Sequence, residues 1–303
     1  MSELKTGLMK RVLFPFLLLF IFSGCEDADP SPNSTATASE YRLIKILNYR
    51  TSSSPEPYNF IDMTYNGQSE LITESLYDYP NTLVTYTDYE YNGSQKIKKL
   101  NYDGQVGNLQ LGTFIEYNYS NNNLIKEDLF LGNGTLKFRT HYEYSGNKLV
   151  DTFKEGDGLG IHHRYRYTYD FKGRLIRERV FMYNDELENF TEYSYDDHDR
   201  VIKSELYDRN SALQSSIEKQ YNDDDDLPDR ELYFDALGNM MSDRKMTYDQ
   251  YGHQTEVTVT DQGATHKLVS RKYDGELLIE EITYHPYFGY AEWTVTRYEY
   301  EKI

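Results

Sequence analysis

Four things are scarce in this sequence of 303 residues: cysteine, the branched aliphatics, positive charge and long apolar runs. Cysteine occurs once, at Cys25, so the chain holds no internal disulfide, no CxxC pair and no thiolate metal cage. Leu, Ile and Val supply less than a globular core normally uses, so another residue must pack in their place. Lys and Arg number 32 against 50 Asp and Glu, a formal charge of −18. Phosphate backbones are bound through clustered cations that release counterions, so nucleic acid is excluded as a partner and anionic polymers are equally poor ones. Neutral glycans, cations and basic protein surfaces stay open. The apolar run Val12 to Phe22 is 11 residues long. A transmembrane helix needs roughly 20.

That short run reads as export machinery. Lys5, Lys10 and Arg11 give a positive start, the apolar stretch follows, and the segment ends in "FSGC". Small residues at Ser23 and Gly24 directly before Cys25 resemble the lipobox of bacterial lipoproteins, although Phe22 stands where an aliphatic residue is usual. The resemblance implies removal of residues 1–24 and lipidation of Cys25, with the membrane reached through that anchor. An incidental cysteine after an ordinary secretory signal is the plainer alternative. Residues 25–40 read as this cysteine and a disordered tether, since "EDADPSPNSTATASE" at 26–40 has almost nothing to bury. Acidic residues after the anchor resemble the surface-export signal of Bacteroidetes lipoproteins. The expected address is therefore the outer membrane, facing the cell exterior, with its periplasmic face as the alternative.

Tyrosine is what the chain has in excess, with 31 copies, and it marks a period. Tyr65, Tyr91, Tyr119, Tyr144, Tyr169, Tyr195, Tyr221, Tyr248, Tyr273 and Tyr300 follow one another at 25 to 28 residues. Such regularity makes residues 41–303 one array. Each unit has a strand with alternating Tyr ("YRYTYD"), a turn rich in Asp, Asn and Gly ("DFKG"), a return strand opening on an aliphatic pair ("RLIRERVF") and a second turn ("YNDE"). Period-two alternation places Tyr165, Tyr167 and Tyr169 on one face and Arg164, Arg166 and Thr168 on the other. Each unit is a β-hairpin. The expected fold is all-β: an antiparallel meander of about 19 to 20 strands, each roughly 8 residues long, from nine or so hairpin repeats. Twist makes so large a sheet close into a wide barrel, curl into a shell or run as a capped flat solenoid. A membrane-spanning barrel is the distant alternative. Its lipid face would need an unbroken apolar row, whereas Leu175, Arg177, Arg179 and Phe181 share one face of a strand and Ile176, Glu178 and Val180 the other.

"YTYDFKGRLIRE" resembles the YD repeat of the Rhs family, whose unit reads Tyr-x-Tyr-Asp-x-x-Gly-Arg-Leu; Tyr167 to Leu175 matches it in full. The resemblance implies a spiralling β shell, with carbohydrate binding proposed for some members. The longer period departs from that family. Bacteroidetes lipoproteins with wide, porin-like soluble barrels are a second resemblance, which suits the length and the anchor better.

For function, a binding or scaffold module of the cell envelope is expected, its ligand a glycan or another envelope protein. A passive structural component is the alternative. Tyrosine columns could hold sugars on ring faces, but equivalents in every unit favour a scaffold role. A second column, Tyr89, Tyr117, Tyr142, Tyr167, Tyr193 and Tyr298, breaks in three late units where Lys219, Met246 and Arg271 stand instead. Those three positions are the candidate ligand site. The acidic turn Asn222 to Asp226 offers oxygen ligands but lacks the spaced pattern of a calcium loop. His141, His162, His163, His198, His253, His266 and His285 show no metal-ligand spacing, and neither HExxH nor Gly-x-Ser-x-Gly occurs. No cofactor, metal or enzymatic activity is expected.

Overall fold

The computed structural model describes residues 41–303 apart from 106, 157–159, 184, 223–225 and 262. The signal, Cys25 and the tether lie outside the described residues, as does the middle of the acidic turn.

Twenty strands follow one another. The first ten are β1 (Tyr41–Tyr49), β2 (Asn59–Tyr65), β3 (Leu71–Asp78), β4 (Thr82–Asn92), β5 (Gln95–Gln105), β6 (Asn108–Ser120), β7 (Asn123–Leu131), β8 (Leu136–Ser145), β9 (Lys148–Gly156) and β10 (Gly160–Tyr169). The second ten are β11 (Leu175–Met182), β12 (Glu186–Tyr195), β13 (Val201–Asp208), β14 (Leu213–Tyr221), β15 (Pro228–Asp235), β16 (Met240–Tyr248), β17 (Gln254–Asp261), β18 (Ala264–Asp274), β19 (Leu277–His285) and β20 (Ala291–Lys302). Among the described residues one 3₁₀ turn occurs, Pro286–Phe288 in the last connection. Lengths run from 7 residues in β2 to 13 in β6, a wider spread than a uniform 8. The long β5 and β6 carry their ladder out to Gln105 and Asn108, beyond the average unit.

Every strand pairs antiparallel with its sequence neighbour, and β20 pairs with β1 from Tyr41↔Lys302 to Tyr49↔Val295. The sheet is therefore a closed barrel, which excludes the flat solenoid. The pairing offsets advance by about 20 residues in one circuit, equal to the strand number, which gives a strand tilt of about 36°. A round barrel of that kind is roughly 35 Å across. Such a width exceeds what inward side chains can fill. Among the described residues only Tyr49, Phe60, Tyr89, Phe181, Met246, Val259, Ile282 and Val295 are buried apolar groups, and they are divided between the two faces. The inner wall lines a lumen and does not form a core.

The YD-type turn shows why its residues are needed. Asp170 Oδ1 accepts from the amides of Lys172 and Arg174, both at 2.9 Å, and Gly173 adopts φ 87°, where a side chain would be strained. Arg174 returns to Asp170 Oδ2 at 2.7 Å, reaches Asp199 of the next turn at 2.6 Å and lies over the Tyr195 ring. Asp196, Arg200 and Tyr221 repeat the arrangement one unit later. The motif is thus a turn that also ties itself to its neighbour.

One seam is sealed differently. Tyr49 on β1, the fully buried Val295 on β20 and Ile282 on β19 form one row across the closing seam, with Leu47 and Tyr284 packed against them. The β1–β2 loop bonds to the same region, the Ser52 amide and hydroxyl both donating to Glu292. Closure rests on this cluster as well as on the ladder.

Candidate functional site

Alternation and register together divide the wall into two faces. The tyrosine face carries Tyr89, Tyr117, Tyr142, Tyr167, Tyr193 and Tyr298 in register with Lys99, Glu127, Thr152, Glu178, Ser204 and Ile46. Burial is the leading reason that the phenols of Tyr117, Tyr193 and Tyr298 are pushed up to about 12, with Tyr89 and Tyr167 higher still. Burial also raises the carboxyls of Glu127 and Glu178. On the opposite face the shifts of Arg139, Asp243 and Arg230 come first from hydrogen bonds to an ionic partner, and at Asp128 and Glu280, where burial is the largest single cause, the ionic partners together outweigh it and hold the carboxyls low. Solvent exposure alone does not rank the faces this way, since Tyr49, Phe60, Phe181, Ile282 and Val295 are buried on the opposite one; the burial that raises the phenols and carboxyls of the tyrosine face reflects the mass of protein around each group, which is greater on the concave side of a curved sheet. The tyrosine face is the concave one, turned to the lumen.

The outer face is a lattice of ion pairs. Asp128 is buried between Arg139 at 2.6 Å and Lys126 at 2.9 Å; Asp151 is buried between Arg164 at 2.7 Å and Arg166 at 3.2 Å. Glu280 is held by Arg297 at 2.9 Å and by Lys272. Stacked pairs such as Phe114–Phe130 and Phe190–Tyr207 lie between them. Neither face offers the continuous apolar band that hydrocarbon contact demands. No helix among the described residues is long and apolar enough to cross a membrane.

The marker tyrosines sit at the last turns of the ladder. Tyr65, Tyr91, Tyr119, Tyr144, Tyr169, Tyr195, Tyr221, Tyr248, Tyr273 and Tyr300 each stand at a β-bulge. The hydroxyls of nine of them donate to backbone carbonyls on the preceding strand: Tyr65 to Leu43, Tyr91 to Leu71, Tyr119 to Lys96, Tyr169 to Leu149, Tyr195 to Leu175 and Tyr221 to Val201. Tyr248 to Pro228, Tyr273 to Gln254 and Tyr300 to Leu278 continue the belt. This latch was invisible in the sequence, because its acceptor is a main-chain oxygen about 20 residues back, carried by residues as different as Leu, Lys, Pro and Gln.

Lys219, Met246 and Arg271 occupy the inner face of β14, β16 and β18, and each is already engaged. Lys219 pairs with Glu231 at 3.2 Å, Arg271 with Glu281 at 2.7 Å and with Gln254, and Met246 is buried. Arg244, between them on β16, lies over the Tyr233 ring and donates to its hydroxyl at 3.1 Å. Of the three, only Met246 lines a hollow of about 800 Å³ at the turn end, with Leu227, Asp229, Tyr248 and Asp249. No metal-binding group of three or more His, Cys, Asp or Glu occurs among the described residues.

Two inner-wall features carry more chemical character than the predicted trio. The first is a girdle of carboxylates, Glu74, Glu127, Glu178, Glu231 and Glu281, one on every fourth strand at one level. Tyr89 donates to Glu74, and Tyr193 reaches Glu178 at 3.5 Å. The alternation of Glu with other residues at twice the repeat was the sequence signal for it. The second is a smaller hollow of about 270 Å³ on β8, β9 and β10, lined by Thr140, Thr152, Lys154, His163 and Tyr165.

The fold and wall define a class: a closed, twenty-stranded meander barrel of tyrosine-latched hairpins with a polar, aromatic lumen. No family model matches the chain, and no curated protein matches it. Among solved structures it is similar to TcdB2-TccC3, at 15% identity and a TM-score of 0.46 over 75% of this chain, which spans only 12% of that one. A porin-like protein from Bacteroides uniformis is similar at 12% identity and a TM-score of 0.40, covering 86% of this chain and 98% of that one. A second, from Bacteroides vulgatus, gives 11% and 0.28.

Proposed function

We propose that the protein is a lipid-anchored envelope barrel that serves as a binding module, taking a glycan against its inner wall. The observation that supports this reading is the closed barrel whose concave face is aromatic and hydroxylated yet unfilled, leaving Tyr rings and Thr hydroxyls along a lumen. Sugars need that combination: apolar ring faces for C–H surfaces and hydroxyls or carboxylates for their OH groups. The paired, charged outer face suits an aqueous setting, so membrane attachment is assigned to Cys25 and not to the strands. The reading includes no enzymatic role and no cofactor.

Binding of a glycan panel to the exported protein tests it, and a flat response to every saccharide would defeat the glycan reading. Cys25→Ser should release the protein from membranes, and unchanged membrane association would count against the anchor. Proteolysis of intact cells tests the outward address, which resistance of the protein would contradict.

The tyrosine belt favours a second reading. Hydroxyls committed to main-chain carbonyls serve the barrel itself, as a purely structural envelope component would require. Such a protein would bind none of the panel while keeping its anchor and its address.

A further inference from the structure

We propose that the hollow on β8, β9 and β10 is a subsite for a small monocarboxylate, such as a sugar acid. The inference rests on the glycan reading and narrows its chemistry. Register builds the site: Lys154 stands between Thr140 and His163 in one row of the inner face, and Thr152 stands between Tyr142 and Tyr165 in the next. The lining of Thr140, Thr152, Lys154, His163 and Tyr165 contains hydroxyls, an ammonium and an imidazole, but no carboxylate. In a chain of charge −18 the lining itself carries no acid; the nearest carboxylate in its row is Glu127 of β7, which pairs with Thr140 and acts on Lys154 from beyond it. Screening over roughly 8 Å at physiological ionic strength lets the local Lys154 charge act against the global one.

Two groups there have unused capacity. The Lys154 ammonium lies 4.2 Å from the centre of the Phe138 ring and forms no ion pair among the described residues, although the inner lysine and arginine at 219 and 271 are each paired with a glutamate. Thr152 Oγ1 is buried beside Tyr167 without a well-formed hydrogen bond. A ligand oxygen between them would complete both.

Charge sets the ligand class. The Lys154 ammonium is the one permanent cation in the lining, and Glu127, its carboxyl raised by burial, stands one strand beyond Thr140, so the site tolerates at most the single negative charge of a carboxylate and a phosphate dianion would be left further from balance. A volume of about 270 Å³ matches one monosaccharide-sized unit. The repulsion of anionic polymers by the whole protein is therefore compatible with a small anion held here.

Calorimetric titration of the full chain with glucuronate, glucose and inorganic phosphate tests the assignment. Glucuronate should bind, with glucose and phosphate at least tenfold weaker. Lys154→Gln should weaken glucuronate at least tenfold, and Lys203→Gln on the outer face should leave it unchanged. Should Lys154→Gln fail to fold, Thr152→Val should still cost several-fold. Equal binding of glucose, tighter binding of phosphate, or full affinity in Lys154→Gln would overturn the subsite. Binding of neutral glycans with no binding of glucuronate would leave the broader glycan reading standing while removing this one.

Discussion

The hydroxyl of Tyr195, at the end of β12, donates to the carbonyl of Leu175, at the start of β11, across 2.6 Å. These two residues are the open ends of one hairpin whose turn lies at the far side of the barrel. The bond therefore latches a mouth that the ladder leaves after Arg177↔Glu192. Tyr195→Phe keeps the ring under Arg174 and removes only the latch. It should cost about 1 kcal/mol, the net value of one hydrogen bond, seen as a fall of roughly 2–4 °C in melting temperature. An unchanged melting temperature would mean that the latch contributes nothing.

A turn position offers a gain. Ser211 adopts φ 64°, the left-handed conformation that Gly238 occupies at φ 80° in the equivalent turn one unit later. Ser211→Gly should relieve the strain and raise stability by up to about 1 kcal/mol, less the extra entropy of the unfolded glycine. Denaturant midpoints of the two proteins decide it.

The seam should be sensitive to volume. Val295 is fully buried between Tyr49 and Ile282 where the last strand meets the first. Val295→Ala removes two methyl-sized groups and should cost about 2 kcal/mol. Hydrogen exchange should quicken first in β1 and β20 if the cluster secures closure, and uniform exchange across the barrel would argue that it does not.

Glu178 gives a dependence on pH of definite sign. Burial raises its folded carboxyl above the ordinary 4.5, so the folded state holds a proton that the unfolded state has released. Stability then falls as pH rises from the unfolded pKa through the folded one. Glu178→Gln should remove that decline and be the more stable protein at neutral pH. Parallel stability curves for the two proteins from pH 4 to 8 would contradict the assignment.

Alkaline pH acts on the phenols. Tyr117, Tyr193 and Tyr298 ionise at about 12 in the folded barrel, chiefly because they are buried, against 10.0 when unfolded. Their raised pKa contributes stability below pH 10 that is lost as pH climbs toward 12. Tyrosinate absorbance and loss of strand signal should therefore rise together above pH 10, and free titration of all tyrosines near 10 with the fold intact would refute the burial.

The sequence by itself determined the period, the hairpins, the two faces and nearly the strand count, because each depends on neighbours within one unit. Alternation puts Tyr167 opposite Arg166 in any sheet, and Asp170 with Gly173 makes its turn wherever the strands lead. The three departures at Lys219, Met246 and Arg271 were visible too, and they do fall on one face. Only the tertiary structure decided closure, since whether β20 meets β1 depends on twist and register offsets accumulated over twenty strands, which no single repeat contains. It also decided which face is concave. That placed Glu178 and Lys154 against a lumen, gave Lys219 and Arg271 partners from adjacent strands, and turned the marker tyrosines from packing residues into latches on distant carbonyls.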